Sequence, residues 1–445
     1  MMSTENYKLD SWNYFTRKTS MIPFQAIKSF FKGRIPGQLI IQYSNQCNAD
    51  CPQCGMKRSA AIDRNTLTID QAKQLIDSAA EKGFQALSLT GGEPLLHLDT
   101  LLKLIDHARQ AGIAHVRTGT NGYIFQGSDK PDFEKRIHRI AEGISKSGLS
   151  SFWISLDSAN PEDHEAMRGL QGLVKGIEKG LPIFHAHNIY PSANIGINRN
   201  TGGSNPLLYQ ENLESEIFFE LFKEAFRKFY KFTLGLGFTT VSACYPMSHE
   251  EEGTEEEHAQ GKSSQDISTY GATSTDRVIH FSPREKGLIF QALYEVIPEF
   301  RSQLRIFTPL CSLYNLIRQY RDGKESLYSC HGGKDFFFVE CGQGKIHPCG
   351  YLSDIFPELP ILHKRSHKKS DCNRCEWECF RDPSDLMGPF AEFFTSPFTL
   401  LGKLVHNPQY YKILRKDLQY YRACNYFDGT LPPDYTKLQN FPKGL

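Results

Sequence analysis

The chain of 445 residues carries three closely spaced cysteines, Cys47, Cys51 and Cys54, in a CxxxCxxC arrangement. Thiolates are ligands for zinc and for iron–sulfur clusters, and three of them on one short loop can converge on a metal centre. A closed tetrahedral zinc site needs four ligands, so zinc would require a distant Cys or His as well. A [4Fe–4S] cluster held by three cysteines leaves one iron free for an exogenous ligand. The spacing alone leaves both centres open.

A second group of cysteines lies around a predicted hairpin over 334–348. Two cysteines flank the hairpin, and a CxxC pair follows it. Such a four-ligand set is typical of either a structural zinc site or a second iron–sulfur cluster. Its members are Cys330, Cys349, Cys372 and Cys375. Cys379 competes with Cys372 or Cys375 for one ligand position.

The remaining cysteines are interpreted as side chains without a ligand role. We expect Cys341 to lie in the hairpin turn, and Cys244 and Cys311 to be buried small apolar groups. Cys424 stands alone in the tail. Clustered cysteines of this kind indicate metal or redox chemistry in a reducing compartment rather than a disulfide framework.

Charge and hydropathy exclude several classes of protein. Lys and Arg number 51 against 50 Asp and Glu, for a net charge of +1, which disfavours a nucleic-acid partner. The sequence has no uninterrupted apolar stretch that approaches the ~18 residues needed to span a bilayer. The first residues, MMSTENYKLDSW, lack the apolar core of a signal peptide. We therefore expect a cytoplasmic protein.

Alternating strand and helix patterns begin at Gln38 and position the first cysteine loop directly after a strand. A helix is predicted from Thr68, with a capping box to Gln71 and a closing glycine at Gly83. This alternation predicts a parallel sheet with right-handed crossovers, either open and doubly wound or closed as a partial barrel. The predicted strands are 38–43, 85–90, 115–120, 151–157, 192–198 and 233–242, and the other predicted helices are 98–111, 132–147 and 212–231.

Gly91-Gly92-Glu93-Pro94 follows the second predicted strand at its carboxyl end, where ligands bind in parallel α/β folds. Two glycines let a ligand approach the backbone closely, and the carbonyls there can accept hydrogen bonds from an ammonium group. The motif alone could be an ordinary turn. Its position one strand after the cysteine loop favours a shared site.

With Cys47-Asn-Ala-Asp-Cys51-Pro-Gln-Cys54 and Thr90-Gly91-Gly92-Glu93-Pro94, the sequence resembles the radical S-adenosylmethionine (SAM) superfamily. The resemblance implies an α/β fold with a partial (β/α)6 barrel of the TIM type. It implies that the three cysteines hold a [4Fe–4S] cluster whose free iron chelates the amino and carboxylate groups of SAM. Gly91, Gly92, Glu93 and Pro94 would bind the methionine amino group.

The same resemblance implies the activity of an oxidoreductase or maturase. One electron, from a donor such as flavodoxin or ferredoxin, cleaves SAM to methionine and a 5′-deoxyadenosyl radical. That radical abstracts a hydrogen atom from an unactivated C–H bond of the substrate.

Four further residues match polar SAM contacts of the superfamily less specifically. Ser155 and Asp157 end the fourth strand, where they could instead cap the next helix. Asn121 follows the third strand, and Arg168 lies in a Met-Arg-Gly sequence. Asn194 and Asn198, near the fifth strand, are predicted to point either into the cavity or into packing.

The second cysteine group resembles the SPASM and twitch extensions of radical SAM enzymes, which carry auxiliary [4Fe–4S] clusters. The matching features are Cys330, Gly344-x4-Cys349 and Cys372-x2-Cys375. The full SPASM pattern has seven cysteines and a longer gap after the CxxC, whereas here Cys379 follows after three residues. We therefore expect a small cysteine-rich hairpin and helix domain of the twitch type with one auxiliary cluster.

We expect six regions along the chain. Residue patterns separate an amphipathic extension, the radical SAM barrel, an acidic and polar insertion, a helical linker that begins at Ser282-Pro283, the auxiliary-cluster domain and an aromatic-rich tail. Their bounds are 1–37, 38–246, 247–281, 282–328, 329–380 and 381–445.

The substrate is expected to be a peptide or protein side chain or a small molecule, and 37 residues before the barrel are too few for a peptide-binding domain. Segment 11–38 has five basic residues, no acid and several aromatic residues, so it is either an interfacial membrane segment or a plug at the bottom of the barrel. The first reading gives a second candidate, an enzyme that modifies lipid chains at a membrane surface. A zinc-stabilised structural protein is the alternative outside the enzymes.

Overall fold

A computed structural model describes residues 28–54, 64–246, 274, 276–352, 354–365, 372–373, 375–425, 428–439 and 441. Within these residues, nine strands form one sheet in the order β7-β6-β5-β4-β3-β2-β1-β8-β9. Strands β1 to β6 are mutually parallel and follow chain order, with helices between them. The fold is thus an α/β fold of the partial (β/α)6 barrel type, as the resemblance implies, and its sheet is not closed.

The elements have the following bounds. The strands are β1 Gly37–Ser44, β2 Phe84–Gly91, β3 His115–Thr120, β4 Ser151–Leu156, β5 Ser192–Gly196, β6 Thr240–Cys244, β7 Arg305–Ile306, β8 Phe336–Val339 and β9 Ile346–His347. The α-helices are α1 Ile69–Lys82, α2 Leu98–Gln110, α3 Phe133–Lys146, α4 Pro161–Arg168, α5 Leu173–Ala186, α6 Ser215–Leu236, α7 Pro283–Phe300, α8 Leu310–Asp322, α9 Glu378–Thr395, α10 Pro397–His406, α11 Pro408–Cys424 and α12 Tyr435–Gln439.

Local signals set the ends of the helices that frame the barrel. Thr68 and Gln71 form the predicted capping box of α1, and Gly83 ends that helix in the left-handed conformation at φ 93°. Ser282 and Glu285 form a second capping box at the start of α7, where Pro283 occupies the first turn. Both predicted helix starts are confirmed.

The sixth predicted strand was too long. Residues up to Leu236 belong to α6, because the buried face of this helix continues through Phe226, Phe229 and Thr233. Gly237 then ends the helix at φ 93°, and β6 begins only at Thr240. The strand therefore shares only residues 240–242 with the predicted run and continues beyond it to Cys244.

Three short strands extend the sheet beyond the six of the barrel. β7 pairs in parallel with β6, and β8 pairs in parallel with β1. β9 forms the predicted antiparallel hairpin with β8, through Phe338 opposite His347. The hairpin beside the second cysteine group is thereby hydrogen-bonded to the strand that leads into the first cysteine loop.

Residues 11–27 of the predicted amphipathic segment lie outside the described residues, as does most of the acidic insertion. In the remainder, Phe30 is buried against Phe390 of α9, with ring centroids 5.7 Å apart. Ile35 lines the barrel cavity. In the part of the chain that the structure describes, no helix has the length and apolar character needed to cross a membrane.

Candidate radical SAM site

The first cysteine loop leaves the end of β1 and packs as one apolar cluster with the start of α5. Cys51 is buried, and Cys47 and Cys54 are half-buried beside Leu170 and Leu173. The backbone N–H of Ala49 donates to Cys47 Sγ at 3.4 Å, and Cys54 N–H donates to the carbonyl of Cys51 at 3.1 Å. The structure thus brings the three predicted ligands together at the carboxyl end of the sheet.

The double glycine packs directly against the chain that leads into this loop. Gly92 N–H donates to the carbonyl of Ser44 at 2.9 Å, and Glu93 N–H donates to the carbonyl of Gln46 at 2.8 Å. A Cβ at Gly91 would lie 2.2 Å from the Ser44 carbonyl oxygen, and one at Gly92 would lie 2.2 Å from that of Gln46. Both glycines also line the cavity. Their small size is therefore needed for backbone packing as well as for access to a ligand.

Glu93 ties the turn to the end of β3. Its two carboxylate oxygens accept from the backbone N–H groups of Leu95 at 3.0 Å and Asn121 at 2.5 Å. Burial raises the pKa of Glu93 to about 7, against the lowering effect of these hydrogen bonds. Both carboxylate oxygens of Glu93 accept hydrogen bonds from the protein itself. In this structure Glu93 therefore positions the backbone of Asn121.

Asn121 connects β3 to the cysteine loop. Its side-chain amide donates to Asn48 Oδ1 at 2.9 Å and lies 3.7 Å from Cys47 Sγ. Its own carbonyl oxygen accepts from Tyr123 N–H at 2.9 Å. Asn121 also lines the cavity, so this predicted residue lies between the cysteine loop and the space beside it.

Asp157 and Arg168, predicted as separate SAM contacts, form one buried ion pair. Arg168 donates from Nε and Nη2 to the two carboxylate oxygens of Asp157, at 2.6 and 2.8 Å. Burial alone would raise the pKa of Asp157, but the guanidinium of Arg168 and the neighbouring His164 lower it to about 2. Arg168 lines the cavity and interacts electrostatically with Cys51, and its two hydrogen bonds to Asp157 fix the position of its guanidinium.

The other polar residues of this edge divide between cavity and packing. Ser155 and Asn194 line the cavity, and Asn194 Oδ1 accepts from Ser242 at 2.9 Å. Asn198 is buried, and its amide donates to the carbonyls of Asp157 and Gly196, both at 2.7 Å. The structure therefore places Asn194 toward the cavity and Asn198 in packing.

A cavity of about 480 Å³ runs along the inside of the sheet. The strands contribute alternate residues to its wall, among them Arg117 and Trp153, and α9 contributes Glu378 and Asp382. The Trp153 indole lies against Gly119, where a Cβ would fall 2.1 Å from the ring. We did not predict these residues from the sequence, although the period of two along β3 marks positions 115, 117 and 119 as sharing one face.

The second cysteine group also comes together. Cys330 and Cys372 are joined by a backbone hydrogen bond of 2.9 Å, and Cys349 and Cys375 pack in the same apolar cluster. Trp377, Phe380 and Phe338 surround these four thiols. Burial is the main cause that raises the pKa of Cys330 and of Cys349, each to about 12. Burial thus disfavours the charged thiolate, which is the form of cysteine that binds metal. A cationic metal centre would offset this cost.

Backbone amides point at the sulfur atoms of both groups. Gly332 N–H donates to Cys330 Sγ and Tyr351 N–H to Cys349 Sγ, both at 3.4 Å, and Cys375 accepts in the same way from Trp377. Cys47 accepts from Ala49, as described above. Hydrogen bonds to the sulfurs are a feature of iron–sulfur sites that tunes their potential. Both donor sets therefore fit iron–sulfur clusters.

Among the described residues, no three His, Cys, Asp or Glu side chains are close enough together to hold a single metal ion. A cluster binds each thiolate through a different iron, so its ligands lie farther apart than those of one ion.

Cys379 packs against the same apolar cluster as the other four predicted ligands, but its thiol contacts different groups. It begins the first turn of α9, its thiol contacts Glu378 Oε1 at 3.5 Å, and it lines the cavity together with Cys244. Cys244 is half-buried rather than buried as expected, whereas Cys311 and Cys424 are fully buried. Cys341 lies in the hairpin turn, as predicted.

Comparisons with known proteins agree with this arrangement. Residues 41–198 match the family model of the Radical SAM superfamily. The AdoMet-dependent heme synthase of Methanosarcina barkeri is 24% identical over 354 residues, which span 77% of this chain and 84% of that protein. The GTP 3′,8-cyclase of a Synechococcus strain is 30% identical over 171 residues, which span 35% of this chain and 46% of the cyclase.

Among solved structures, anSMEcpe with bound AdoMet gives a TM-score of 0.46 at 16% identity, covering 85% of this chain and 99% of that one. The chain therefore carries a radical SAM domain over residues 41–198. It is therefore an enzyme that uses a [4Fe–4S] cluster and SAM, which excludes the purely structural zinc protein considered above.

Proposed function

We propose that the protein removes a hydrogen atom from an unactivated C–H bond of a substrate bound in the barrel cavity. The observation that carries this proposal is the junction between the cysteine loop and the Gly91-Gly92 turn. Backbone hydrogen bonds of 2.8 and 2.9 Å join the two, and the two glycines line a cavity of about 480 Å³. Three thiols, an adjacent glycine edge and a substrate-sized space are thus held together by rigid elements.

Cys47, Cys51 and Cys54 would hold the cluster, and the cavity edge beside them would hold SAM. When bound, these groups supply the one-electron chemistry that generates the hydrogen-abstracting species. The residues proposed to line the SAM site are Gly91, Gly92, Pro94, Asn121, Ser155 and Arg168. Arg168 would offer its cationic side chain to a carboxylate, and Asp157 would orient it from behind.

Cys330, Cys349, Cys372 and Cys375 are proposed to hold one auxiliary [4Fe–4S] cluster, for substrate binding or electron transfer. Support comes from their common apolar shell and from the N–H groups that point at their sulfurs. Trp377 and Phe336 belong to both this shell and the cavity wall. The auxiliary centre would therefore lie behind one wall of the substrate cavity.

The cavity wall favours a substrate with polar groups. Arg117 donates to Ser88 Oγ, and among the described residues it forms no ion pair, so a substrate carboxylate or phosphate could bind there. Glu378 and Asp382 lie on the α9 side of the same cavity, where their carboxyl groups would accept from donors on a substrate. The names of the two relatives given above, a heme synthase and a GTP cyclase, favour a small molecule. A peptide or protein side chain is the next candidate, and a lipid chain is the third.

The test is SAM cleavage by the anaerobically reconstituted protein with a strong one-electron reductant or with reduced flavodoxin or ferredoxin. We expect 5′-deoxyadenosine as a product. Replacing Cys47, Cys51 and Cys54 together by Ala should abolish it, while the matched variant Cys341→Ala should retain it. Undiminished cleavage by the triple variant would contradict the proposal.

A further inference from the structure

The surface formed by the end of α9, by α10 and by the turn before β1 is apolar and exposed. No residue of α10 is buried. Phe398 is 87% exposed, Val405 68%, Phe31 60% and Leu401 58%. We call this surface the apolar patch; its members are Phe31, Phe393, Phe394, Phe398, Leu401, Leu404 and Val405.

Close contacts make the patch continuous across two distant parts of the sequence. The rings of Phe31 and Phe394 lie 4.0 Å apart between centroids, and those of Phe393 and Phe394 lie 5.0 Å apart. Gly33 lies against Thr395, since a Cβ at that position would fall 2.7 Å from the Thr395 methyl carbon. The patch is therefore one surface built from two segments of chain.

The orientation of α10 is the reverse of that of an ordinary surface helix. Its single Lys, Lys403, points into the protein, where Nζ donates to Glu392 at 2.8 Å and to the carbonyl of Leu327 at 2.9 Å. The same Nζ lies 4.2 Å from the ring centroid of Tyr328. A surface helix normally turns its charged residues to water and its apolar residues to the core. Here the fold holds the charge inside and leaves the apolar side chains outside.

Basic residues border the patch, and acids are missing from the segments that form its edge. Lys32 donates to the carbonyl of His363, and Arg34 Nε donates to that of Lys364 at 2.9 Å, so segment 361–365 runs beside the turn before β1. Lys364 and Arg365 on this segment are exposed. The sequence has no acidic residue within 28–34, 361–365 or 393–406.

We infer that the apolar patch docks this protein onto the surface of an anionic lipid bilayer. Exposed Phe and Leu side chains enter the interface between headgroups and acyl chains, while bordering Lys and Arg contact anionic headgroups. A second copy of the chain fits this surface less well. A twofold interface would place the same patch on both partners and bring the basic border of one against that of the other. No member of the patch lines the cavity, so docking leaves the proposed active site open.

The test is co-sedimentation of the cluster-loaded full chain with phosphatidylcholine vesicles, with and without phosphatidylglycerol. We expect binding to the anionic vesicles that weakens with added salt. Replacing Phe398, Leu401 and Val405 by Ser should lower binding at least tenfold, because burial of even one large apolar side chain corresponds to roughly tenfold in affinity. Leu207→Ser with Ile217→Ser, on the barrel surface, is the matched control and should bind normally.

Charge is tested separately. Lys364→Glu with Arg365→Glu should weaken binding to anionic vesicles, whereas Lys135→Glu with Arg139→Glu, on α3, should not. Formation of 5′-deoxyadenosine without vesicles reports folding of each variant independently of docking. Failure of the wild type to bind anionic vesicles at low salt would overturn the inference, as would equal binding to neutral vesicles. A dimer in solution that the Ser variant dissociates would assign the patch to a second copy and would also overturn it.

Discussion

The two cysteine groups differ in how the protein surrounds them. The first has three thiols on one loop, a cationic neighbour in Arg168 and a direct border with the cavity through Asn121. The second has four thiols from separate segments inside a shell of aromatic residues that includes Trp377 and Phe380. Arg381 is its cationic neighbour, and it is also paired with Asp385 at 3.4 Å. Three ligands beside a cavity suit a centre that binds a reactant, and four ligands inside a shell suit a closed centre.

The difference extends to what each group contributes to the fold. The first loop is held in place by backbone hydrogen bonds to the Gly91-Gly92 turn and by the Asp157–Arg168 pair. The cysteines of the second group, by contrast, come from separate segments of the chain and share one apolar shell. We infer that metal is needed for reaction at the first site and for stability at the second.

The largest expected effect tests this contrast. The wild type should hold about eight irons per chain, from two clusters of four. The Cys47, Cys51 and Cys54 triple variant should lose about half of the iron and all cleavage while remaining soluble. Cys349→Ala should lose the other half and aggregate or unfold more readily. Iron, sulfide and zinc analysis with chemical unfolding measures both effects; zinc in the second site, or about twelve irons, would contradict the assignment.

The next effect concerns the link between the glycine turn and the cysteine loop. Gly92→Ala places a Cβ 2.2 Å from the Gln46 carbonyl oxygen and must shift the loop. A displacement of about 1 Å in a catalytic site can cost on the order of a hundredfold in rate, so cleavage should fall by about that factor. The control is Gly235→Ala on α6, where a Cβ would meet nothing within 4 Å. An active Gly92→Ala variant with normal SAM affinity would show that the close packing is dispensable.

Much of the first site could be predicted because its signals are local. The CxxxCxxC spacing, the GGEP motif and the capping box at Thr68 each depend on residues a few positions apart, and the structure confirms the helix and brings the motifs together. The pairing of Asp157 with Arg168 was missed, since both were interpreted as ligand contacts. One charge of each sign near a strand end predicts an ion pair as readily as two ligand contacts.

The other differences arise from contacts between distant parts of the sequence. The pairing of β8 with β1 joins residues about 300 positions apart, and hydrophobic periodicity gives no information about such a partner. Arg117 lies inside β3. The alternation along that strand indicates which residues share a face of the sheet, but it does not indicate which of their side chains reaches the cavity. The outward apolar face of α10 was likewise missed, because an apolar helix normally packs into the core.

A smaller effect is expected from the ion pair that orients Arg168. Asp157→Asn leaves a buried guanidinium without its carboxylate, which costs about 3 kcal/mol in the free energy of unfolding. SAM affinity should fall as well, because Arg168 loses its fixed position. Asp77→Asn is the control, since Asp77 pairs with His107 at 2.7 Å in a half-exposed setting where such pairs contribute about 1 kcal/mol or less. Urea unfolding and SAM binding measure the two variants; equal losses would contradict a special role for the pair.

The smallest effect separates Cys379 from the auxiliary ligands. Its thiol contacts Glu378 and lines the cavity beside Cys244, whereas Cys375 interacts electrostatically with Cys330 and Cys372. Cys379→Ala should therefore keep the iron content and the unfolding free energy of the wild type, while Cys375→Ala loses about four irons. The gap of three residues between Cys375 and Cys379 allows either cysteine to serve as a ligand. Iron analysis of the two variants shows which of them binds the cluster. Loss of iron from Cys379→Ala, with retention in Cys375→Ala or Cys372→Ala, would move Cys379 into the cluster and remove a free thiol from the substrate cavity.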